Sequence, residues 1–140
     1  MKKELVLVID TAGDNINLLL GKKEGQIIDT IKIGAKYRHS EILLEKINEI
    51  LGKKKVKLDN LGVIIVNKGP GSFTALRAGI ATANSLAWAL AIPALGLSGD
   101  TELLFKNGVK KSAKTKPGQL VIPEYGSEPK ISKPRVSRKV

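Results

Sequence analysis

The sequence has no cysteine and a single histidine, His39. A disulfide framework and a structural zinc site are therefore excluded, and so is thiol catalysis. The lack of cysteine fits a reducing cytoplasm. Aromatic residues are few, at 4%, although the apolar fraction of 42% is that of an ordinary folded protein. No apolar run is long enough to span a bilayer, because Arg77 and Asn84 interrupt the best candidate. The N-terminus, Met-Lys-Lys-Glu before a handful of apolar residues, reads as a first strand and not a signal peptide. Acids are scarce late in the chain: residues 106–140 hold 2 against 10 Lys and Arg, whereas residues 1–105 hold 11 against 14. A length of 140 residues suits one domain.

What the sequence does have is a long helical run. Residues 69–91 open on a turn rich in Gly and Pro and continue, free of proline until Pro93, with Arg77 as the only charge. Ser72 or Thr74 is placed to cap the first N–H groups. One stripe carries Leu76, Ile80, Ala83, Ala87 and Leu90; the opposite side carries Ala75, Ala78, Gly79, Thr82, Leu86 and Ala89, with Trp88 nearby. A helix with no polar face requires cover on two sides. The cover is a helix of the same chain or another molecule. The spacing Gly79, Ala83, Ala87 suits close approach of a second backbone, so a protein interface over this helix is expected.

In chain order, residues 4–9 read as a buried strand ending at Asp10 and Thr11, followed by strands at 16–20 and 26–33 around a turn with Gly21 and Gly25 at its ends. A helix follows at 40–51, with Leu43, Ile47, Ile50 and Leu51 on its apolar side and Gly52 as its stop. Residues 61–66 form a continuous apolar strand, the long helix comes next, and residues 94–97 form a short last strand. Residues 99–105 have the makings of a final turn or two of helix. The order β-β-β-α-β-α-β puts an antiparallel meander before parallel pairs, the order of ribonuclease-H-like sheets and of one lobe of the actin-like ATPases. The expected organisation is an α/β lobe over 1–105 and a largely disordered basic tail over 106–140, in which only 119–122 suggests an extended piece. Such a tail reads either as a solvated end or as a polyanion-binding arm.

Three places bear on chemistry. A carboxylate at the end of the first strand, Asp10, can hold a metal in folds of this class, but paired-metal sites need further carboxylates, and the adjacent strand ends in Asn67-Lys68. Asp10 therefore reads as a turn and capping residue. Gly69, Gly71, Ser72 and Thr74 read equally as a tight strand-to-helix turn and as an anion or phosphate loop, although not of Walker type. His39 stands at a helix start beside Ser40 and Glu41, where a capping or interface role suits it.

Three landmarks coincide in one order: Val8-Ile-Asp-Thr11; Arg38-His39-Ser40-Glu41-Ile-Leu-Leu44; and Gly69-Pro-Gly-Ser-Phe-Thr-Ala-Leu-Arg77-Ala-Gly79 with Ala91-Ile-Pro93. Over about residues 4–100 the chain resembles the TsaB (YeaZ-like) family, partner proteins in the synthesis of threonylcarbamoyladenosine on tRNA. The related catalytic family, TsaD, shares the Gly-Pro-Gly…Leu-Arg pattern and carries a histidine pair that holds a metal. One histidine cannot supply that pair, so the resemblance is to the non-catalytic member, with no metal or cofactor of its own. It implies a scaffold that forms homodimers, or a heterodimer with a TsaD-type subunit, through first-lobe helices, and that joins a TsaE-type ATPase in a larger assembly. Here that interface would fall on Leu43, Ile47, Leu76, Gly79, Ile80, Ala83, Leu86 and Ala87, with tRNA contact through the basic tail as a further role. The family usually continues into a second lobe, where this chain has the tail; Pro123-Glu-Tyr125 is similar to a Pro-x-Tyr near the family's C-terminus. The alternative is a small nucleotide- or phosphate-binding enzyme of the actin-like class, using Asp10 and the loop 69–72.

Overall fold

The computed structural model describes residues 3–34 and 40–124. Five strands, β1 (Leu5–Asp10), β2 (Ile16–Lys22), β3 (Ile27–Ile33), β4 (Leu61–Asn67) and β5 (Ala94–Leu97), form one sheet in the order β3-β2-β1-β4-β5. β1, β2 and β3 pair antiparallel; β4 pairs parallel with β1 and with β5. Helices α1 (Ser40–Lys53), α2 (Phe73–Leu90) and α3 (Thr101–Ser112) cover it. This is the ribonuclease-H-like lobe that the order of elements predicts.

β1 and β4 are wholly buried, as runs without a polar face must be. Their alternate side chains point into two separate cores. On one face Leu5, Leu7, Ile9, Ile64 and Val66 meet Leu43, Ile47 and Ile50 of α1 and Ile80, Ala83 and Ala87 of α2. On the other, Val6, Val8, Val63 and Ile65 meet Leu104 and Phe105 of α3.

Two helix ends differ from expectation. α1 passes through Gly52 and closes at Lys55, which takes the left-handed conformation (φ 58°) while Val56 N–H bonds back to the Leu51 carbonyl at 3.1 Å. At α2, Ser72 stands at the N-cap without a side-chain cap bond.

The larger correction concerns residues 106–124. Helix α3 continues through the expected boundary at 105 as far as Ser112, and residues 119–124 are packed on the lobe; residues 125–140 lie outside those described. The helix was hidden because its buried face reads Leu104, Phe105, Gly108. A glycine there looks like a breaker, yet a Cβ on Gly108 would lie 2.2 Å from Ile65 Cδ1, so the missing side chain is what lets the helix reach the sheet. Gly21 does the same for Phe105, whose ring occupies the space of a Gly21 Cβ.

Residues 119–122, expected as an extended piece, belong to no strand of the sheet but are held on the lobe through Val121. α1 lies over β2 and β3, and α2 over β1, β4 and β5. On this same face Val121 covers the end of β5 at Gly96, where a Cβ would sit 2.5 Å from Val121 Cγ1. The Asn84 side chain of α2 grips this strap at both backbone groups: Val121 N–H donates to Oδ1 at 3.0 Å and Nδ2 donates to the Val121 carbonyl at 3.2 Å. Asn84→Ala should cost about 1–3 kcal/mol in urea unfolding, for two hydrogen bonds of about 0.5–1.5 kcal/mol each. Faster amide exchange confined to the strap should accompany it.

Candidate functional site

The C-terminal ends of β1 and β4 meet the loop after β5 at Asp10, which is buried. Its Oδ1 accepts from Asn67 Nδ2 at 3.0 Å and from Ala12 N at 3.3 Å, and its Oδ2 accepts from the Thr101 hydroxyl at 2.6 Å. Asn67 completes the knot, donating also to the Gly99 carbonyl at 3.0 Å and accepting from Gly69 N at 2.9 Å. Ser98 Oγ donates to the Gly69 carbonyl. Both Asp10 carboxylate oxygens are thus engaged in joining β1, β4 and the start of α3. No three His, Asp or Glu among the described residues are grouped to hold a metal. Asp10 joins three elements, where the sequence suggested a turn and capping residue; neither Asn67 nor Thr101, 57 and 91 residues away, was marked as its partner.

The loop 69–72 is built for close approach to its own chain. Gly69 is in a left-handed conformation (φ 113°), and a Cβ there would lie 2.1 Å from the Glu124 carbonyl oxygen. A Cβ on Gly71 would lie 2.5 Å from the Ala12 carbonyl. Glu124 N–H bonds to the Lys68 carbonyl at 2.7 Å, and its carboxylate faces Lys68 Nζ at 3.6 Å. Ser72 and Thr74 are exposed; Gly69 is buried against Glu124, and Gly71, though exposed, turns its Cβ side to Ala12. The geometry favours the tight turn over the anion loop.

The family-motif residues fall in different places. Thr11 Oγ1 donates to the Ala75 carbonyl at 2.6 Å, and its side chain fills the hollow at Gly79, where a Cβ would lie 2.4 Å from that oxygen. Arg77 is exposed, its guanidinium 5.0 Å from the Phe73 ring centroid. His39 lies outside the described residues, and of Ser40 and Glu41 only the backbone, in the first turn of α1, is described.

The expected interface set is corrected by burial. Leu43, Ile47, Leu76, Gly79, Ile80, Ala83 and Ala87 are all buried by the chain itself, and only Leu86 of the set reaches the surface in part. The small residues let α2 sit close to its own sheet and to Thr11. The exposed stripe of α2 is instead Arg77, Ala81, Ser85 and Trp88, with Trp88 77% exposed. Beside it Leu44 of α1 is 46% exposed, and Leu44, Ala81, Thr82, Ser85 and Leu86 line one shallow groove between the helices. Thr82 donates to the Ala78 carbonyl at 2.8 Å, which leaves this groove apolar in character. Periodicity missed the stripe because alanine and serine serve equally on a wet or a dry face.

Comparison with known proteins agrees with this fold. The family model described as TsaD, tRNA N6-adenosine threonylcarbamoyltransferase, matches residues 33–124. The tRNA threonylcarbamoyladenosine biosynthesis protein TsaB of Buchnera aphidicola subsp. Schizaphis graminum is 34% identical over 95 residues, 68% of this chain and 44% of that protein. TsaB of Bacillus subtilis is 33% identical over 103 residues, 74% of this chain and 44% of that protein. The solved structure of YeaZ from Pseudomonas aeruginosa superposes with a TM-score of 0.62 at 28% identity, covering 68% of this chain and 44% of that one. The chain spans less than half the length of the curated relatives it matches.

If Asp10 is a tie, its loss is a stability effect. Asp10→Ala removes the acceptor of one Asn67 N–H and of the Thr101 hydroxyl and should lower unfolding free energy by about 2–6 kcal/mol, at about 1–3 kcal/mol for each unpaired donor. Asp10→Asn retains one acceptor oxygen and should cost less than half as much. Chemical denaturation of both variants checks the order.

Proposed function

The chain belongs to the TsaD family and is a TsaB (YeaZ)-like member of it, and on that premise we propose that it acts in threonylcarbamoyladenosine synthesis on tRNA as a non-catalytic partner subunit. In this reading it docks on a TsaD-type catalytic subunit through the outer side of α2 and the neighbouring edge of α1, and a TsaE-type ATPase joins the larger assembly. A second copy of the chain competes for the same face as a homodimer.

The carrying observation is the stripe Ala81, Ser85, Trp88 with Leu44 and Leu86 beside it. A tryptophan 77% exposed on a helix whose other faces are packed is an unmet apolar surface. Tryptophan is the residue type most concentrated at interface hot spots. A standard interface buries about 1,600 Å² in total, within reach of two adjoining helices. The non-catalytic role is supported by the site chemistry: both Asp10 oxygens accept hydrogen bonds from the chain, Gly69 is buried against Glu124, and one histidine cannot form a ligand pair. Among the described residues no helix is long and apolar enough to cross a membrane.

The exposed stripe, not the small-residue stripe, is the place to test docking. A charge at Gly79 or Ala83 would break the lobe, since Gly79 has no room beside Thr11 and Ala83 is fully buried. Trp88→Glu, alone and with Leu44→Glu, should leave the circular dichroism spectrum unchanged. It should weaken association with a TsaD-type subunit by about thirtyfold or more, the size of a hot-spot loss of about 2 kcal/mol. Mass measurement of the mixed complex reads the outcome; undiminished association of the double variant refutes this docking face.

A further inference from the structure

The charge on the described residues is unevenly placed, and the longest stretch of lysines without an acid follows the start of α3. α1, on one side, carries Glu45 and Glu49 among its lysines, and Lys46 and Lys53 are paired with Glu49 at 3.1 Å and Asp29 at 3.6 Å. α3, on the other side, is followed by a chain with the opposite character. Between Glu102 and Glu124 the sequence has no acid and five lysines: Lys106, Lys110, Lys111, Lys114 and Lys116. All five are exposed, and none is in an ion pair among the described residues.

The helix that carries them is fixed. Asp100 caps it through Leu103 N at 2.9 Å, Thr101 is tied to Asp10 at 2.6 Å, Phe105 sits in the Gly21 hollow and Gly108 lies on Ile65. Lys106 and Lys110 therefore stand one turn apart on the exposed side of α3, about 6 Å at 1.5 Å per residue, and Lys114 follows just past its end. The negative end of the helix dipole accounts for Lys110 and Lys111. It does not account for Lys106 in the middle of the helix or for Lys114 and Lys116 beyond it.

We infer that the outward face of α3 binds a polyanion, the phosphate backbone of a structured RNA. The identity of that RNA as tRNA rests on the proposed function; the charge row itself does not. An anionic membrane is the poorer match, because interfacial helices insert their apolar face, and Leu104 and Phe105 are buried in the lobe. Binding here is through phosphate charge without base readout, so it is salt-dependent and broad in sequence. This surface is on the opposite side of the sheet from α1 and α2, so RNA and a protein partner occupy the lobe together.

The test uses the full chain and a tRNA transcript, with binding followed by fluorescence anisotropy at several salt concentrations. The triple variant Lys106→Ala, Lys110→Ala, Lys114→Ala is compared with Lys54→Ala, Lys55→Ala, Lys57→Ala, which removes the same charge from exposed positions after α1. Alanine favours helix, so the α3 variant keeps its fold. The α3 variant should lose about tenfold or more in affinity, and its slope of log affinity against log salt should flatten by about 2–3, at about 0.7–0.9 per phosphate contact. The control should change the slope by less than about 1. Equal losses in the two variants, or no loss in the α3 variant, overturn the proposal. So does loss of binding to phosphatidylserine vesicles with RNA affinity intact. The α3 variant should still associate with a TsaD-type subunit; retained RNA binding alongside retained association sinks this inference and leaves the docking model standing.

Discussion

Two neighbouring parallel strands, apolar on both faces up to their last residues Asp10 and Asn67, impose the rest of the architecture. β1 and β4 are dry on both sides, so cover must come from above and below, and the described residues provide it with three α-helices and the short segment at Val121. α1 and α2 dry most of one face. β5, the edge strand there, is covered by α2 in part and finished by Val121, which fits because Gly96 leaves the space. The other face has α3 alone, which reaches the sheet through Gly21 and Gly108. Close approach at glycine is thus the device by which so small a set of elements closes two cores.

The same economy explains the polar knot at the top of the sheet. Parallel strands end together, and the loops leaving them must be held without a second layer of structure. Asp10 accepts from a neighbouring loop N–H, a strand side chain and a helix hydroxyl, and Asn67 passes the connection on to Gly69 and Gly99. A carboxylate at a strand end can hold a metal when further carboxylates converge on it. Here both oxygens accept hydrogen bonds from the scaffold, and the position serves to join elements.

How much was legible in the sequence follows from what each element asks of it. Strands β1, β4 and β5 and helix α2 were found within about one residue at each end, because continuous β-branched runs and an unbroken Ala-rich run have few other solutions. α3 was lost past residue 105, since one of its core positions is a glycine and the rest of its surface is lysine. The burial of α2 was misassigned for a related reason. Gly79, Ala83 and Ala87 mark a close approach but not its direction, and the approaching group is Thr11 of the same chain and its own sheet. Long-range ties such as Thr101 to Asp10 and Asn84 to Val121 leave no local trace, because each side chain is an ordinary loop or helix residue until folding places its partner.

The placement of α2 and α3 then gains a physical meaning. A single sheet separates the α2 side, with its exposed Trp88, from the α3 side, with its run of exposed lysines. A protein partner that buries a tryptophan gains from exclusion of water and is little affected by salt. A polyanion gains from counterion release and needs open, hydrated lysines. Placed on one face, the two demands would conflict, because desolvating unpaired lysines under an apolar interface is costly. With α2 and α3 on opposite sides of the sheet, each surface keeps the solvent environment that its partner chemistry requires, and the sheet between them fixes their relative placement.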